Sequence, residues 1–259
     1  MLKLEDGIYR LGDTSLEYRW IRGDNTSTKT LVLLHEGLGS VSAWKGFPEK
    51  LHERTGHDIF LYSRESYGKS SRLSGPRQYD YHSYEARDVL APLLVSMDIQ
   101  EPVLIGHSDG ATIALIYAAT SQLPTTTGMV LMAPHVFVEE ETWSSVVPVL
   151  KAYKDSGLRE KLAAYHDDVD GAFFGWYDFW ANPEVLEWNI ENILPDIHCP
   201  LLLVQGDEDE YATRAQLDAI AGQCSGSSDL HMLGDCRHTP FRDQEETCLD
   251  LMQGFIEGL

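Results

Sequence analysis

Five short apolar runs recur along the chain: LVLL (Leu31–Leu34), DIFLY (Asp58–Tyr62), PVLI (Pro102–Ile105), MVLM (Met129–Met132) and LLLVQ (Leu201–Gln205). None shows the polar/apolar alternation of a half-solvated strand, so each reads as a strand buried on both faces. Stretches with helical spacing lie between and after them, over Ala43–Thr55, Tyr81–Met97, Gly110–Thr120 and Thr213–Gly222, and Pro92 predicts a kink in the second. A hairpin opens the chain, with Gly7–Leu11 and Leu16–Arg22 flanking a Gly12-Asp13 turn. Asp229–Leu233 and Asp243–Ile256 close it as strand and helix. Repeated strand–helix units of this kind specify an α/β fold, a mostly parallel central sheet with helices on both faces. Hydrophobic residues make up 43% of 259 residues, enough to fill such a core.

The rhythm breaks once. From about Glu139 to Leu194 the chain is helical, acidic and rich in aromatics, densest in AFFGWYDFW (Ala172–Trp180). The expected organisation is therefore a core of residues 1–134 and 196–259 with a helical insertion at 135–195. Glu139-Glu140-Glu141 is expected to be a solvated helix start.

Sites in parallel sheets form beyond the carboxyl ends of the strands. Four strand ends carry chemistry here: His35-Glu36-Gly37-Leu38-Gly39-Ser40, Gly106-His107-Ser108-Asp109-Gly110, Gly206-Asp207-Glu208-Asp209 and Cys236-Arg237-His238-Thr239-Pro240. They supply a serine, acids and a histidine in the order Ser…Asp…His.

This pattern resembles the α/β-hydrolase family over essentially the whole chain. Gly106-His107-Ser108-Asp109-Gly110 matches the family's G-x-S-x-G elbow, a strained strand-to-helix turn that presents the serine above the sheet. The resemblance implies Ser108 as nucleophile and His238 as general base, because a serine hydroxyl attacks well only when a base takes its proton. Asp209 fits the family's G-x-x-D acid, and Asp207 is the other candidate. Of the strand-end histidines, His35 is expected to support its loop by hydrogen bonds, His107 to pack beside the elbow and His231 to lie within a strand. Only His238 precedes the H-x-P pattern. The oxyanion donors implied are the backbone N–H groups of Asp109 and Gly37, with Leu38 as the alternative to Gly37. Two departures stand out: Glu36 replaces a glycine, and Asp109 replaces the usual apolar residue, its side chain expected to point away or bond locally. Tyr62–Ser71 (YSRESYGKSS) resembles the family's D-x-R-G-x-G-x-S loop and is expected to shape the floor of the site.

The insertion falls where this family places a cap over the substrate. Leu38, Trp143, Phe174, Trp176 and Trp180 are the expected pocket residues. The implied activity is hydrolysis of a small to medium carboxylic ester or lactone. A C–C bond hydrolase of aromatic ring-cleavage products, an acyltransferase, a cofactor-free haloperoxidase and a non-catalytic ligand-binding protein are the rivals. Dehalogenases and epoxide hydrolases use an aspartate nucleophile, which Ser108 argues against.

Charge narrows the partners. With 20 Lys+Arg against 41 Asp+Glu, the net charge of −21 disfavours nucleic acid and anionic membranes and leaves a small-molecule substrate. HExxH is absent and the four cysteines lack CxxC spacing, so no metal or cofactor is expected. Neither a secretory leader nor a membrane span is expected, which gives a cytoplasmic location.

Overall fold

The apolar runs lie side by side in the computed structural model, which describes residues 2–23, 29–120 and 124–259. The strands are β1 (Lys3–Leu11), β2 (Thr14–Arg22), β3 (Lys29–Leu34), β4 (Asp58–Tyr62), β5 (Glu101–His107), β6 (Gly128–Met132), β7 (Leu201–Gly206) and β8 (Ser228–Leu233). They form one eight-stranded sheet in the order β1-β2-β4-β3-β5-β6-β7-β8. β1 and β2 pair antiparallel, β2 joins β4 antiparallel, and β4 to β8 run parallel. The strand order turns in opposite directions on either side of β3 and β5, which are neighbours. A crevice opens at such a point beyond the strand ends.

The apolar runs face both ways because both faces are covered. Val32, Leu34, Leu104, Met129, Leu131, Leu201 and Leu203 pack into one core with the helices of segment 81–96, Asp109–Thr120 and Ala215–Gln223. Leu31, Leu33, Val103, Ile105, Val130, Met132, Leu202 and Val204 pack into the other, under Phe47–Thr55 and Glu245–Glu257. Fully burying each such side chain contributes about 1.5–3 kcal/mol.

Boundaries differ from the sequence expectation where local chemistry intervenes. The helix expected from Ala43 starts at Phe47, behind a 3-10 turn at Ser42–Trp44, with Pro48 in its first turn. Pro92 does not stop its helix. The turn Glu85–Leu90 widens to i→i+5 bonding just before it, and Ala91–Ser96 continues the helix. The last helical stretch divides at Gln244 into Pro240–Asp243 and Glu245–Glu257.

The insertion leaves the core through a narrow neck. Phe137 and Asn189 form an isolated antiparallel bridge, and Ile190 N–H donates to the Val136 carbonyl at 2.8 Å. Between them lie helices Glu140–Val146, Val149–Asp155, Leu158–Leu162 and Val169–Trp180. They close around their own apolar cluster, which includes Tyr153, Phe173, Trp176, Phe179 and Trp180. The helical turn Glu191–Asp196 belongs to the core instead, since Leu194 is buried there. Glu139 corrects one expectation: it is the helix N-cap rather than a solvated residue. Its carboxylate accepts from Thr213 N–H at 2.9 Å, Thr213 Oγ1 at 2.5 Å and Gln216 Nε2 at 2.7 Å. Among the described residues no helix is long and apolar enough to cross a membrane.

Candidate active site

Ser108 sits between β5 and the helix Asp109–Thr120 with φ at +52°, a strained backbone for a residue with a Cβ. Its N–H donates to Met132 on β6 at 2.9 Å, which pins the turn to the sheet. Two glycines make the turn possible. A Cβ on Gly106 would lie 2.5 Å from the Ala111 backbone, and one on Gly110 would lie 2.0 Å from the Leu34 carbonyl oxygen. Both contacts are with backbone and cannot yield. The serine at the elbow thus rests on a helix N-terminus, where free N–H groups and the helix dipole favour negative charge.

The structure brings Ser108, His238 and Asp209 together across three strand ends. His238 Nε2 lies 3.0 Å from Ser108 Oγ, and His238 Nδ1 lies 2.8 and 3.0 Å from the two Asp209 oxygens. Asp209 also accepts from Tyr211 N–H at 2.9 Å and Gln205 Nε2 at 3.2 Å. Burial alone would raise the Asp209 carboxyl, but the bond to His238, its charge and the Tyr211 N–H hold it below the ordinary value. Burial alone would lower His238, yet the bond and charge of Asp209, with Glu210 and Glu36 behind them, raise it above 6.5. Asp207 is exposed and takes no part. Glu210, which the sequence reading did not single out, braces the histidine loop by accepting from His238 N–H at 3.3 Å and Arg237 at 3.0 Å. His107 also ties the elbow to that loop, its Nε2–H donating to the His238 carbonyl at 2.7 Å.

The loop after β3 is held through its carbonyls. Arg64, buried to 2% exposure, donates to His35 O at 2.5 Å and Glu36 O at 2.8 Å. His35 accepts from Arg64 N–H through Nε2 at 3.1 Å, so its Nδ1 carries the proton and donates to Glu36 O at 2.7 Å. Gly39 N–H completes a turn onto the same Glu36 oxygen at 3.1 Å. A trans peptide is planar, so the Gly37 N–H faces opposite to the Glu36 carbonyl. Glu36 itself is not free: its carboxylate faces His107 Nδ1 at 3.5 Å and Arg242 at 3.8 Å.

The Asp109 side chain is buried, and its carboxylate is committed to hydrogen bonds. It accepts from Tyr81 OH at 2.5 Å and Trp180 Nε1 at 3.1 Å, with His82 Nε2 at 3.6 Å and Arg64 at 3.9 Å. Burial opposes its ionisation, but His82, Arg64 and Tyr81 outweigh burial and hold the carboxyl well below the ordinary range. Trp180 belongs to the insertion, so this carboxylate fastens the insertion to the elbow.

Above Ser108 lies a cavity of about 210 Å³. Leu38, Trp176 and Trp180 line it as expected, together with His135, Val146, Val149, Leu158 and Tyr211. Trp143 and Phe174 do not. Thr142 and Val146 share the inner face of their helix, and Trp143, about 100° round from Thr142, packs into the insertion's own cluster. Phe174 lies about 200° round from Trp176 and packs edge-on to Tyr153 and Phe173. His135 was legible by the strand-end rule, because it follows β6. Its buried ring lies 5.8 Å from His238, and burial, then the neighbouring His238, push it down to about 4. Among the described residues no group of three or more His, Cys, Asp and Glu side chains is placed to hold a metal.

Known proteins share this architecture. The proline iminopeptidase of Lactobacillus delbrueckii subsp. lactis is 24% identical over 185 residues, covering 71% of this chain and 62% of the relative. The serine hydrolase BPHL of Mus musculus is 28% identical over 187 residues, covering 70% and 62%. The matched part of the chain thus spans about three-fifths of the length of these relatives. Among solved structures, the 2-hydroxy-6-oxo-6-phenylhexa-2,4-dienoate hydrolase of Rhodococcus sp. strain RHA1 superposes with a TM-score of 0.81 at 13% identity, covering 99% of this chain and 100% of that one. The enol-lactonase of Burkholderia xenovorans LB400 gives 0.75 at 18%, covering 97% and 100%. The alpha/beta hydrolase family model matches residues 31–251, which takes in the elbow, the insertion, the acid and the histidine: the chain belongs to the alpha/beta hydrolase family.

Proposed function

We propose that this protein is a serine hydrolase that cleaves a compact, neutral carboxylic ester or lactone through an acyl-enzyme on Ser108. The hydrogen-bonded chain Asp209–His238–Ser108 beneath an apolar cavity carries this reading. His238 Nε2 takes the Ser108 proton as Oγ attacks the carbonyl carbon. The oxyanion is met by Asp109 N–H at the helix N-terminus and by Gly37 N–H, each worth roughly 3–4 kcal/mol of transition-state stabilisation. Asp209 stabilises the imidazolium and fixes its tautomer, and His238 then hands the proton to the leaving oxygen. Water, deprotonated by the same histidine, attacks the acyl-enzyme and frees Ser108. The insertion acts as a cap that keeps bulk water off the acyl group.

The lining supports esters over carboxylate-bearing ring-cleavage products. No lysine or arginine stands among the described residues that line the cavity. A substrate carboxylate would be left there without a counter-charge, at a cost of several kcal/mol.

The test is hydrolysis of p-nitrophenyl acetate, p-nitrophenyl butyrate and γ-butyrolactone, beside proline p-nitroanilide for the activity that the iminopeptidase relatives' name suggests. We expect turnover of the esters and a loss of about 10⁴-fold or more in Ser108→Ala. Equal turnover by the variant refutes the nucleophile. Cleavage of the anilide alone refutes the substrate class.

A further inference from the structure

We propose that His166, carried by the insertion, is a positioning residue that holds the loop after β3 in its oxyanion-binding form, so that the hole is complete only while the cap is seated. This rests on the serine-hydrolase reading above.

His166 lies in the loop between the helices Leu158–Leu162 and Val169–Trp180, and its side chain is buried. Gly68 N–H lies 3.0 Å from Nδ1. A backbone N–H can only donate, so Nδ1 presents its lone pair and the ring proton sits on Nε2. Nε2 therefore donates to the Leu38 carbonyl, also at 3.0 Å. The imidazole bridges two core loops with both nitrogens committed and must be neutral to do so. Burial, which lowers its affinity for a second proton, agrees with that form. Asp167 N–H donates to Gly68 O at 2.9 Å beside it, and Tyr67 packs edge-on at 5.8 Å.

The Leu38 carbonyl matters because of the peptide unit it belongs to. Its partner N–H, that of Gly39, donates to Glu36 O. Glu36 O in turn belongs to the peptide that carries the Gly37 N–H. One planar unit is thus held at its oxygen by the cap and at its nitrogen by the carbonyl that orients the proposed donor. Arg64 holds His35 O and Glu36 O from the core side, and His166 holds Leu38 O from the cap side. Without His166 the Leu38–Gly39 peptide keeps only its N–H anchor, the bond from Gly39 N–H weakens, and the aim of Gly37 N–H rests on Arg64 and His35 alone.

The two bonds can be separated. Asn at position 166 places a side-chain oxygen where Nδ1 stood and keeps the Gly68 bond, but it falls short of Leu38. Gln reaches as far as Nε2 and can donate to Leu38. Each variant keeps one of the two anchors, so folded protein remains available, checked by circular dichroism and melting temperature. For p-nitrophenyl butyrate we expect His166→Asn to lower kcat about 10–100-fold with KM within about threefold, the pattern of a transition-state contact. His166→Gln should retain kcat within about threefold. Affinity for an alkyl trifluoromethyl ketone, whose adduct with Ser108 carries the oxyanion, should fall in the Asn variant by the same factor as kcat. An Asn variant that is folded and has wild-type kcat and ketone affinity overturns the inference, as does a loss confined to melting temperature or KM. A wild type that neither hydrolyses esters nor binds the ketone overturns the serine-hydrolase reading, and this inference with it.

Discussion

Asp109→Asn tests the charged cluster under the elbow. Four side chains there are almost fully buried: Arg64 at 2% exposure, Arg77 at 4%, and Asp109 and Glu85 at 1% each. Two cations face two anions. The substitution keeps the shape of Asp109 and can keep its partners, since Asn Oδ1 accepts from Trp180 while Tyr81 OH turns to accept from Nδ2. What it removes is the charge. Two charge-assisted hydrogen bonds become neutral ones, at about 0.5–2 kcal/mol each. Arg64 also loses its nearest carboxylate, and breaking a buried pair costs about 3–5 kcal/mol when the partner stays charged. The pair is long at 3.9 Å and Glu85 still neutralises part of the cluster, so the total expected is about 3–5 kcal/mol. For a chain of this length that is a fall of roughly 6–20 °C in melting temperature. Urea unfolding followed by tryptophan fluorescence gives the free energy directly. The pH dependence supplies a second check. Asp109 is held below its ordinary value near 3.8, so its contribution is complete at pH 5 to 7 and is lost as pH falls through the folded-state value. The gap between wild type and variant should therefore narrow as pH drops below about 4. A melting temperature within about 2 °C of wild type at pH 7, or a gap that widens in acid, refutes this account of the cluster.

Other expectations follow from the same geometry. Because His238 must be neutral to accept the Ser108 proton and is raised above 6.5, kcat/KM should fall as pH drops, with a midpoint above 6.5. In Asp209→Asn that midpoint should move down and the rate should drop by about 10⁴-fold, and an unmoved midpoint would show that Asp209 does not set it. Gly110→Ala drives a Cβ into the Leu34 carbonyl and should give aggregated or unfolded protein on expression, so a soluble, active variant would contradict the packing of the elbow.

The sheet and the meeting of Ser108, His238 and Asp209 at its strand ends were legible because they rest on local signals. Runs such as LVLL can only be buried, and a serine between Gly106 and Gly110 after such a run marks a turn that few sequences allow. The family's G-x-x-D pattern favours Asp209 over Asp207, and in the structure Asp209 is the acid beside His238: the oxygen that meets His238 also accepts from Tyr211 N–H. The insertion was legible only as a composition. Which of its aromatics face inward depends on how each helix is rotated, and that is set by contacts between helices far apart in sequence. Trp143 and Phe174 therefore pack in the insertion's own cluster, while Trp176 and Trp180 line the cavity. The partners of the Asp109 carboxylate are hidden from the sequence for the same reason. Tyr81, His82 and Trp180 lie 28, 27 and 71 residues away along the chain.

The insertion is joined to the core by more than its neck. Trp180 donates to Asp109, His166 reaches Leu38 and Gly68, Thr142 Oγ1 donates to Tyr211 O at 2.6 Å, and Ser145 Oγ donates to Glu210 O at 2.5 Å. The ties end on the residue after Ser108, the loops after β3 and β4, and the segment that follows Asp209. The segment between Phe137 and Asn189 is consequently no interchangeable cassette. A segment grafted from another family member would cover the cavity yet leave three backbone carbonyls and an amide without these partners, and would take one hydrogen bond from the buried Asp109 carboxylate. Val146, Val149 and Leu158, by contrast, line the cavity without any of these ties, so the space above Ser108 can be reshaped there with the insertion still fastened to the core.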